Sequence, residues 1–302
     1  MSNTWMVVAG DPAVGALVET GRAIGGELVA LVVGPTSAAQ AVAAGGVDRV
    51  VHLVGPQDAP YEAFAAAVAE QIAAAAPQIV LAADRPADRA LAGAVAARTG
   101  AGLLGAVRQV EVVDGAVQVV RDALGGIVRE RLAVAAPTVL VLDAGGPLDT
   151  GTPVEIVEVT APVAAVRVVE RNAAVVSGPD LRSARRVVAV GRGLREKDDV
   201  ALAEQLAAAI DGATACSRPL AEGVGYFPRD RYVGVSGQQV TPDLYLAAGI
   251  SGQVQHMVGA RGARVIVAIN TDKDASIFRE CDYGVVGDLY ELLPALTAAL
   301  AR

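Results

Sequence analysis

Aromatic residues make up only 3% of this 302-residue chain, and cysteine and histidine occur twice each. Core packing is therefore left mainly to Val, Ala, Leu and Ile. His52, His256, Cys216 and Cys281 are scattered, so a zinc or transition-metal site has almost no ligands to draw on, and no metal is expected. The cysteines form no CxxC pair and read as reduced and buried, not as a disulfide framework. No block of Lys or Arg occurs, and the net charge is −8 with a pI near 4.9. That removes the basic stripe a nucleic-acid surface requires. Long apolar runs are missing as well. Ile79–Ala83 and Val139–Leu142 are too short to span a bilayer, and the Ala-rich stretch Ala63–Ala76 carries Glu70 and Gln71. The opening MSNTWMVVAGDPAVG lacks a basic segment followed by an apolar one. A soluble, cytoplasmic protein without membrane insertion is expected.

What remains is a composition of 53% hydrophobic and 19% charged residues, that of a folded protein. The length suggests about two domains of ~150 residues. Strand patterns at Trp5–Ala9, Glu27–Val33, Arg49–Val54 and Ile79–Ala83 alternate with helical ones at Val14–Ile24, Ser37–Gly45, Tyr61–Ala75 and Arg89–Thr99, which implies βαβ crossovers and a largely parallel sheet. Val107–Val113 and Ala116–Arg121 flank Asp114-Gly115, a hairpin turn signal, and Val128–Val134 and Thr138–Leu142 continue as strands. The first domain thus ends in an antiparallel addition to a parallel core. Periodicity fades over Asn172–Ala184, where the boundary is expected, giving domains 1–175 and 176–302. Strands then resume at Arg186–Val190, Thr214–Cys216, Arg231–Val233, Leu244–Ala248, Arg264–Ile269 and Tyr283–Val286, with helices at Asp198–Ile210 and Leu289–Leu300. The expected class is α/β, two largely parallel doubly wound sheets, the second Rossmann-like.

Polar or glycine residues gather at the strand ends of the second domain: Gly191-Arg192-Gly193, Ser217-Arg218 before Pro219, Val233-Gly234-Val235-Ser236-Gly237, Asn270, and Gly287-Asp288. A lone GxG is weak evidence, and an arginine at a strand end is most often a surface charge. The segment Asp243–Asp272 is more specific. It reads as strand, a Gly249-Ile250-Ser251-Gly252 turn, a helix opening at Gln253–Val258, and a second strand. Such a turn leaves backbone N–H groups unpaired at a helix start, where they can hold a phosphate. It also sets Ser251, Gln255 and His256 beside Asn270 at the carboxyl ends of strands, the usual ligand position in open α/β sheets. No nucleophile–base pair and no carboxylate pair on one face emerges.

From about Arg186 to Leu296 the chain resembles the electron-transfer flavoprotein alpha subunits, through CSRPLAEG, RYVGVSG and SGQVQHMVG, and most of all the subgroup linked to carnitine and nitrogen-fixation operons. The resemblance implies bound FAD and no substrate chemistry of the chain's own. It implies that Arg192 lies near the pyrophosphate, that Ser217 and Arg218 meet the flavin, and that Val233, Gly234, Val235 and Ser236 line the ring, the Ser236 hydroxyl toward N5/O4. Gly249, Ser251, Gly252, Gln253, Val254, Gln255 and His256 would hold pyrophosphate and ring, His256 on the O2 side, with Asn270, Asp288 and Leu289 on the ribityl and adenosine parts. Arg218, always protonated, and His256 would then stabilise negative charge on the pyrimidine ring. The family commonly has Gln-Thr where this chain has Val235-Ser236, and this chain has one extra residue between Arg218 and Val233. The first domain resembles the family chiefly in architecture; it is expected to be adenine-nucleotide-hydrolase-like and to dock a beta subunit. A donor dehydrogenase of the acyl-CoA type, and an acceptor such as a quinone oxidoreductase or ferredoxin, complete the implied partners. The alternatives are an NAD-dependent enzyme on a related sheet, for which His256 is the one candidate base, a flavin-bifurcating complex, and a flavin-binding subunit without turnover.

Overall fold

Valine-rich runs bounded by Gly, Pro or Asp form the strands, and Ala-rich segments of high intrinsic propensity form the helices between them. The computed structural model describes residues 3–170, 178 and 180–300. Two units result, Met1–Asn172 and Ala173–Arg302. Part of the stretch expected to carry the boundary, 171–177 and 179, lies outside the described residues.

In the first unit β1 (Asn3–Ala9), α1 (Gly15–Ile24), β2 (Glu27–Val33), α2 (Thr36–Ala43), β3 (Arg49–Val54), α3 (Ala65–Ala75), β4 (Ile79–Ala83) and α4 (Pro86–Thr99) alternate. They are followed by β5 (Gly102–Val113), β6 (Ala116–Ala123), β7 (Val128–Ala133), β8 (Thr138–Leu142) and β9 (Ile156–Thr160). The nine strands run in the order β7-β6-β5-β8-β4-β1-β2-β3-β9. Side chains alternate across the sheet with period two: Trp5, Val7 and Ala9 enter one core, Met6 and Val8 the other. Asp114 and Gly115 both have positive φ (50° and 77°), which fits the turn joining β5 to β6.

Two features depart from expectation. β8 does not extend the antiparallel addition; it lies between β4 and β5, parallel to both, with all five residues buried. Its unbroken apolar run is that of a strand covered on both faces. β9 was not anticipated. It pairs with β3 at the sheet edge, half exposed, so its apolar alternation is short and follows a stretch rich in Gly, Pro and Asp.

The second unit contains β10 (Arg186–Val190), α5 (Val200–Ala209), β11 (Ala213–Cys216), β12 (Leu244–Ala248), α6 (Val254–Ala260), β13 (Ile266–Asn270), β14 (Tyr283–Val286) and α7 (Leu289–Leu300). Its sheet order is β11-β10-β12-β13-β14, every pair parallel. Val187 and Ala189 face one core, Val188 and Val190 the other. The chain crosses from one side of β10 to the other after β11, so the carboxyl ends of β10 and β12 flank a switch point, where open α/β sheets bind ligands. The expected strand Arg231–Val233 is not one. Pro228 opens a 3-10 turn over Arg229–Arg231, and Tyr232 and Val233 make only single bridges, to Cys216 and Gln238. Cys216 is buried and Cys281 only partly so, and both are free thiols. Among the described residues no helix is long and apolar enough to cross a membrane, and no His/Cys/Asp/Glu cluster could hold a metal ion.

Candidate functional site

The switch point is built from glycines because two loops meet there backbone to backbone. Gly193 N donates to Gly249 O (3.1 Å) and Gly191 N to Ala248 O (3.0 Å). A Cβ on Gly193 would fall 2.7 Å from Gly249 Cα, and Gly249 itself has a φ of 66°, so only glycine suits either position. The Gly249–Gly252 loop is anchored from the next strand: Asn270 Nδ2 donates to Ile250 O (2.9 Å), and Ser276 Oγ and Ile277 N donate to Ser251 O (2.7 and 3.0 Å). Gln253 then starts α6 without any side-chain cap.

A second wall comes from the turn after Tyr232. Val233 N donates to Cys216 O (2.9 Å) and Val235 N to Gln255 O (2.8 Å), which ties this turn to both β11 and α6. Gly234, at φ 151°, leaves no room for a Cβ, which would sit 2.7 Å from Gln255 O. Tyr232 Oη donates to Ser236 O (2.5 Å) and lies 3.4 Å from Ser236 Oγ.

These loops enclose a cavity of about 310 Å³. Its lining contains Arg192 and Arg218 but no carboxylate, in a chain whose net charge is −8. Arg192 has no hydrogen-bond or ion-pair partner among the described residues, leaving its guanidinium for a ligand. Arg218 is different. Its Nε donates to Glu222 Oε2 one turn on, within the single π-helical turn that Pro219 opens, and its side chain is 65% exposed. Glu222 also takes Arg229, and the hydrogen bond from Arg218, with a smaller share from Arg229, holds the Glu222 carboxyl below its usual range. His256 was expected to help Arg218 as a cation, and the structure corrects this. The ring is 8% exposed, burial pushes its pKa down to about 4, and Nε2 lies 2.8 Å from the Tyr245 hydroxyl. The imidazole is neutral at physiological pH.

Of the residues singled out in the sequence, Arg192, Ser217, Arg218, Val233, Gly234, Val235, Ser236, Gly249, Ser251, Gln253, Gln255, His256 and Asn270 line this one cavity. Gly252, Val254, Asp288 and Leu289 do not. Gly252 packs against Ile277, Val254 is exposed on the first turn of α6, and Leu289 is a core residue lying beneath Gly193 and Gly249. Asp288 Oδ1 accepts from Tyr290 N (2.9 Å) at the start of α7, and Oδ2 faces Arg195 at 3.5 Å. Sequence reasoning missed Pro219, Tyr232 and Ile250 in the lining, and Glu222 and Tyr245 behind it. An (i, i+4) Arg–Glu spacing was a usable signal for Glu222; nothing local marks Tyr245, which reads as a strand residue.

The family model described as the electron transfer flavoprotein domain matches residues 9–164, and that described as the electron transfer flavoprotein FAD-binding domain matches residues 180–261. Protein FixB of Escherichia coli (strain UMN026) is 38% identical over 310 residues, covering 100% of this chain and 99% of the relative. The chain belongs to the electron-transfer flavoprotein alpha-subunit family. FixB of Shigella flexneri is 37% identical with the same coverage. YdiR of Escherichia coli K12, whose name carries the words electron transfer flavoprotein subunit, is 39% identical over 92% of this chain and 91% of its own length. The FixB-type membership makes the chain an electron-transfer subunit, not an enzyme with a substrate of its own, and makes its second unit an FAD-binding domain. The cavity fits that cofactor. Arg192, without a carboxylate partner among the described residues, suits a pyrophosphate, the glycines at the switch point let backbone approach closely, and the buried His256 Nδ1 has no hydrogen bond among the described residues.

Proposed function

We propose that this chain is the FAD-carrying alpha subunit of a cytoplasmic alpha–beta heterodimer that takes electrons from a dehydrogenase of the acyl-CoA type and hands them to an acceptor such as a quinone oxidoreductase or a ferredoxin. The first unit is the docking part for the beta subunit. The observation that carries the reading is the cavity at the β10/β12 switch point, cationic and free of carboxylates. Bound FAD supplies reversible electron acceptance and release. The chain's own residues bind and tune it. Arg192 and the uncapped first turn of α6 hold the phosphates, while Asn270 keeps the Gly249–Gly252 loop in place through the Ile250 carbonyl. Ser217, Arg218 and the Val233–Ser236 turn border the ring, with Arg218 the fixed positive charge there. Gly252, Val254, Asp288 and Leu289 act from behind, on the loop and on the starts of α6 and α7. A second role for His256 as the base of an NAD-dependent enzyme has no support, since a buried imidazole with a pKa of about 4 and one nitrogen engaged by Tyr245 is a poor proton acceptor at neutral pH.

The test is to coexpress the chain with its beta subunit and measure bound flavin and reductive titration. One FAD assigned to this chain, and a cofactor content that falls in Arg192→Ala, is the expected result. A complex that holds its flavin equally well without Arg192, or a chain that binds none, overturns the site.

A further inference from the structure

Tyr245 and His256 sit on opposite sides of the Gly249–Gly252 loop, one on the strand entering it and one on the helix leaving it. The tyrosine is 0% exposed, packed in the same core as Val187, Ala189, Met257 and Ala260. Its Oη lies 2.8 Å from His256 Nε2. Of the two residues only His256 lines the cavity, and its Nδ1 is buried without a hydrogen bond among the described residues.

Which atom carries the proton follows from counting donors. A neutral imidazole has one N–H and one bare nitrogen, and a phenol has one O–H. Burial keeps the phenol protonated, raising its pKa well above 10. The Tyr245 hydroxyl has no hydrogen-bond partner other than Nε2 among the described residues. Were Nε2 to carry the hydrogen and donate to Oη, the phenol proton would be left buried without an acceptor. Orphaning the phenol proton disfavours that form and weights the balance by roughly tenfold or more.

We propose that Tyr245 is a positioning residue for the cofactor site: by donating to Nε2 it fixes His256 as the neutral Nδ1–H tautomer, so that the wall of the cavity beside Val233 presents an N–H dipole. This deepens the FAD reading given above and rests on it for what occupies the cavity. Free neutral histidine prefers the Nε2–H form, so the tautomer is one the protein must impose. An N–H dipole favours a partial negative charge placed opposite it, yet carries no net charge of its own that titration could remove near neutral pH.

With only two histidines in the chain, nitrogen NMR of the full-length protein labelled with 15N-histidine resolves each ring, and His52→Gln assigns them. In the FAD-loaded complex and in the cofactor-stripped chain at neutral pH, His256 is expected to show a protonated Nδ1 and a bare Nε2. In Tyr245→Phe the Nε2–H form should gain by roughly tenfold or more relative to Nδ1–H, and the flavin reduction potential should move. A wild-type ring that is Nε2–H, or doubly protonated, overturns the proposal. The wild-type spectrum decides this even if Tyr245→Phe fails to fold. If the ring is Nδ1–H but the protein binds no FAD, the FAD reading fails while the tautomer assignment stands. Flavin bound at the cavity with the ring in the other tautomer sinks this inference alone.

Discussion

Arg218 and Glu222 are bound to each other at 2.5 Å, and Glu222 is shared with Arg229 at 2.6 Å. The cation nearest the proposed flavin edge is thus tempered by a carboxylate, and the two substitutions should act in opposite directions. Arg218→Ala should lower the first reduction potential of bound flavin, because it removes a charge that favours the reduced, more negative ring. Glu222→Gln should raise it. Arg218→Lys should recover part of the loss, since a point charge cannot reproduce the planar guanidinium. Stepwise reduction followed by absorbance measures all three. An ordinary surface arginine predicts no change in any of them.

Asp88 is the buried carboxylate of the first unit, 1% exposed at the first turn of α4. One oxygen accepts from Ala9 N (2.9 Å), and the other has no hydrogen bond. Arg85 stands 3.9 Å from it but is engaged by the Asp11 carboxylate and the Ala13 carbonyl. Burial raises the Asp88 pKa from 3.8 to about 6. Because the folded value lies above the unfolded one, its stabilising contribution is full below about pH 4 and lost as pH rises through about 6, amounting to at most about 3 kcal/mol. Asp88→Asn should therefore be more stable than wild type by about 1–3 kcal/mol at pH 8, with the gap closing toward pH 4. Urea unfolding read by fluorescence of Trp5, the single tryptophan and a core residue of this unit, checks it. A gap independent of pH would rule out titration of Asp88 as the cause.

Gly249→Ala probes the switch point itself. The new Cβ would meet Gly193 Cα at 2.7 Å and Leu289 Cδ2 at 2.9 Å, on a residue held at φ 66°. Backbone atoms cannot rotate away, so the expected cost is about 2–4 kcal/mol. The loop shift should also empty the cavity of flavin. Urea midpoint and visible absorption are the readouts. Retention of both would show that the two loops are less tightly apposed than described.

The parallel cores were readable from the chain because unbroken apolar runs of five or six residues between Ala-rich segments admit few other arrangements. The cavity walls were readable for a related reason: Gly191, Gly193, Gly234 and Gly249 mark where backbone approaches backbone, and that requirement is written in the residue itself. What stayed hidden depends on contacts distant in sequence. β8 inserts between β4 and β5 by long-range pairing that no local pattern encodes. His256 looked like a cation because its sequence neighbours say nothing of its burial or of Tyr245, eleven residues upstream. Arg231–Val233 looked like a strand because Arg-Tyr-Val is apolar enough, whereas Pro228 before it and Gly234 after it decide the turn.

The acid sensitivity of the second unit should run opposite to that of the first. His256 has a folded pKa of about 4 against an ordinary 6.5, lowered first by burial and raised only partly by the Val233 carbonyl. The native state therefore binds fewer protons than the unfolded chain between these values. The contribution is fully present above about pH 6.5 and is lost as pH falls toward about 4, again at most about 3 kcal/mol. His256→Gln keeps an acceptor for the Tyr245 hydroxyl but has nothing to titrate. It should cost stability at pH 7.5 by about 1 kcal/mol through lost packing, and the difference from wild type should shrink or reverse by pH 4.5. Urea unfolding followed by tyrosine fluorescence suits this measurement, because Tyr61 is the only one of the six tyrosines outside this unit. Parallel curves for wild type and His256→Gln across that pH range would mean that the ring titrates in the folded protein as it does in the unfolded chain, and the burial-lowered pKa assigned to it would have to be given up.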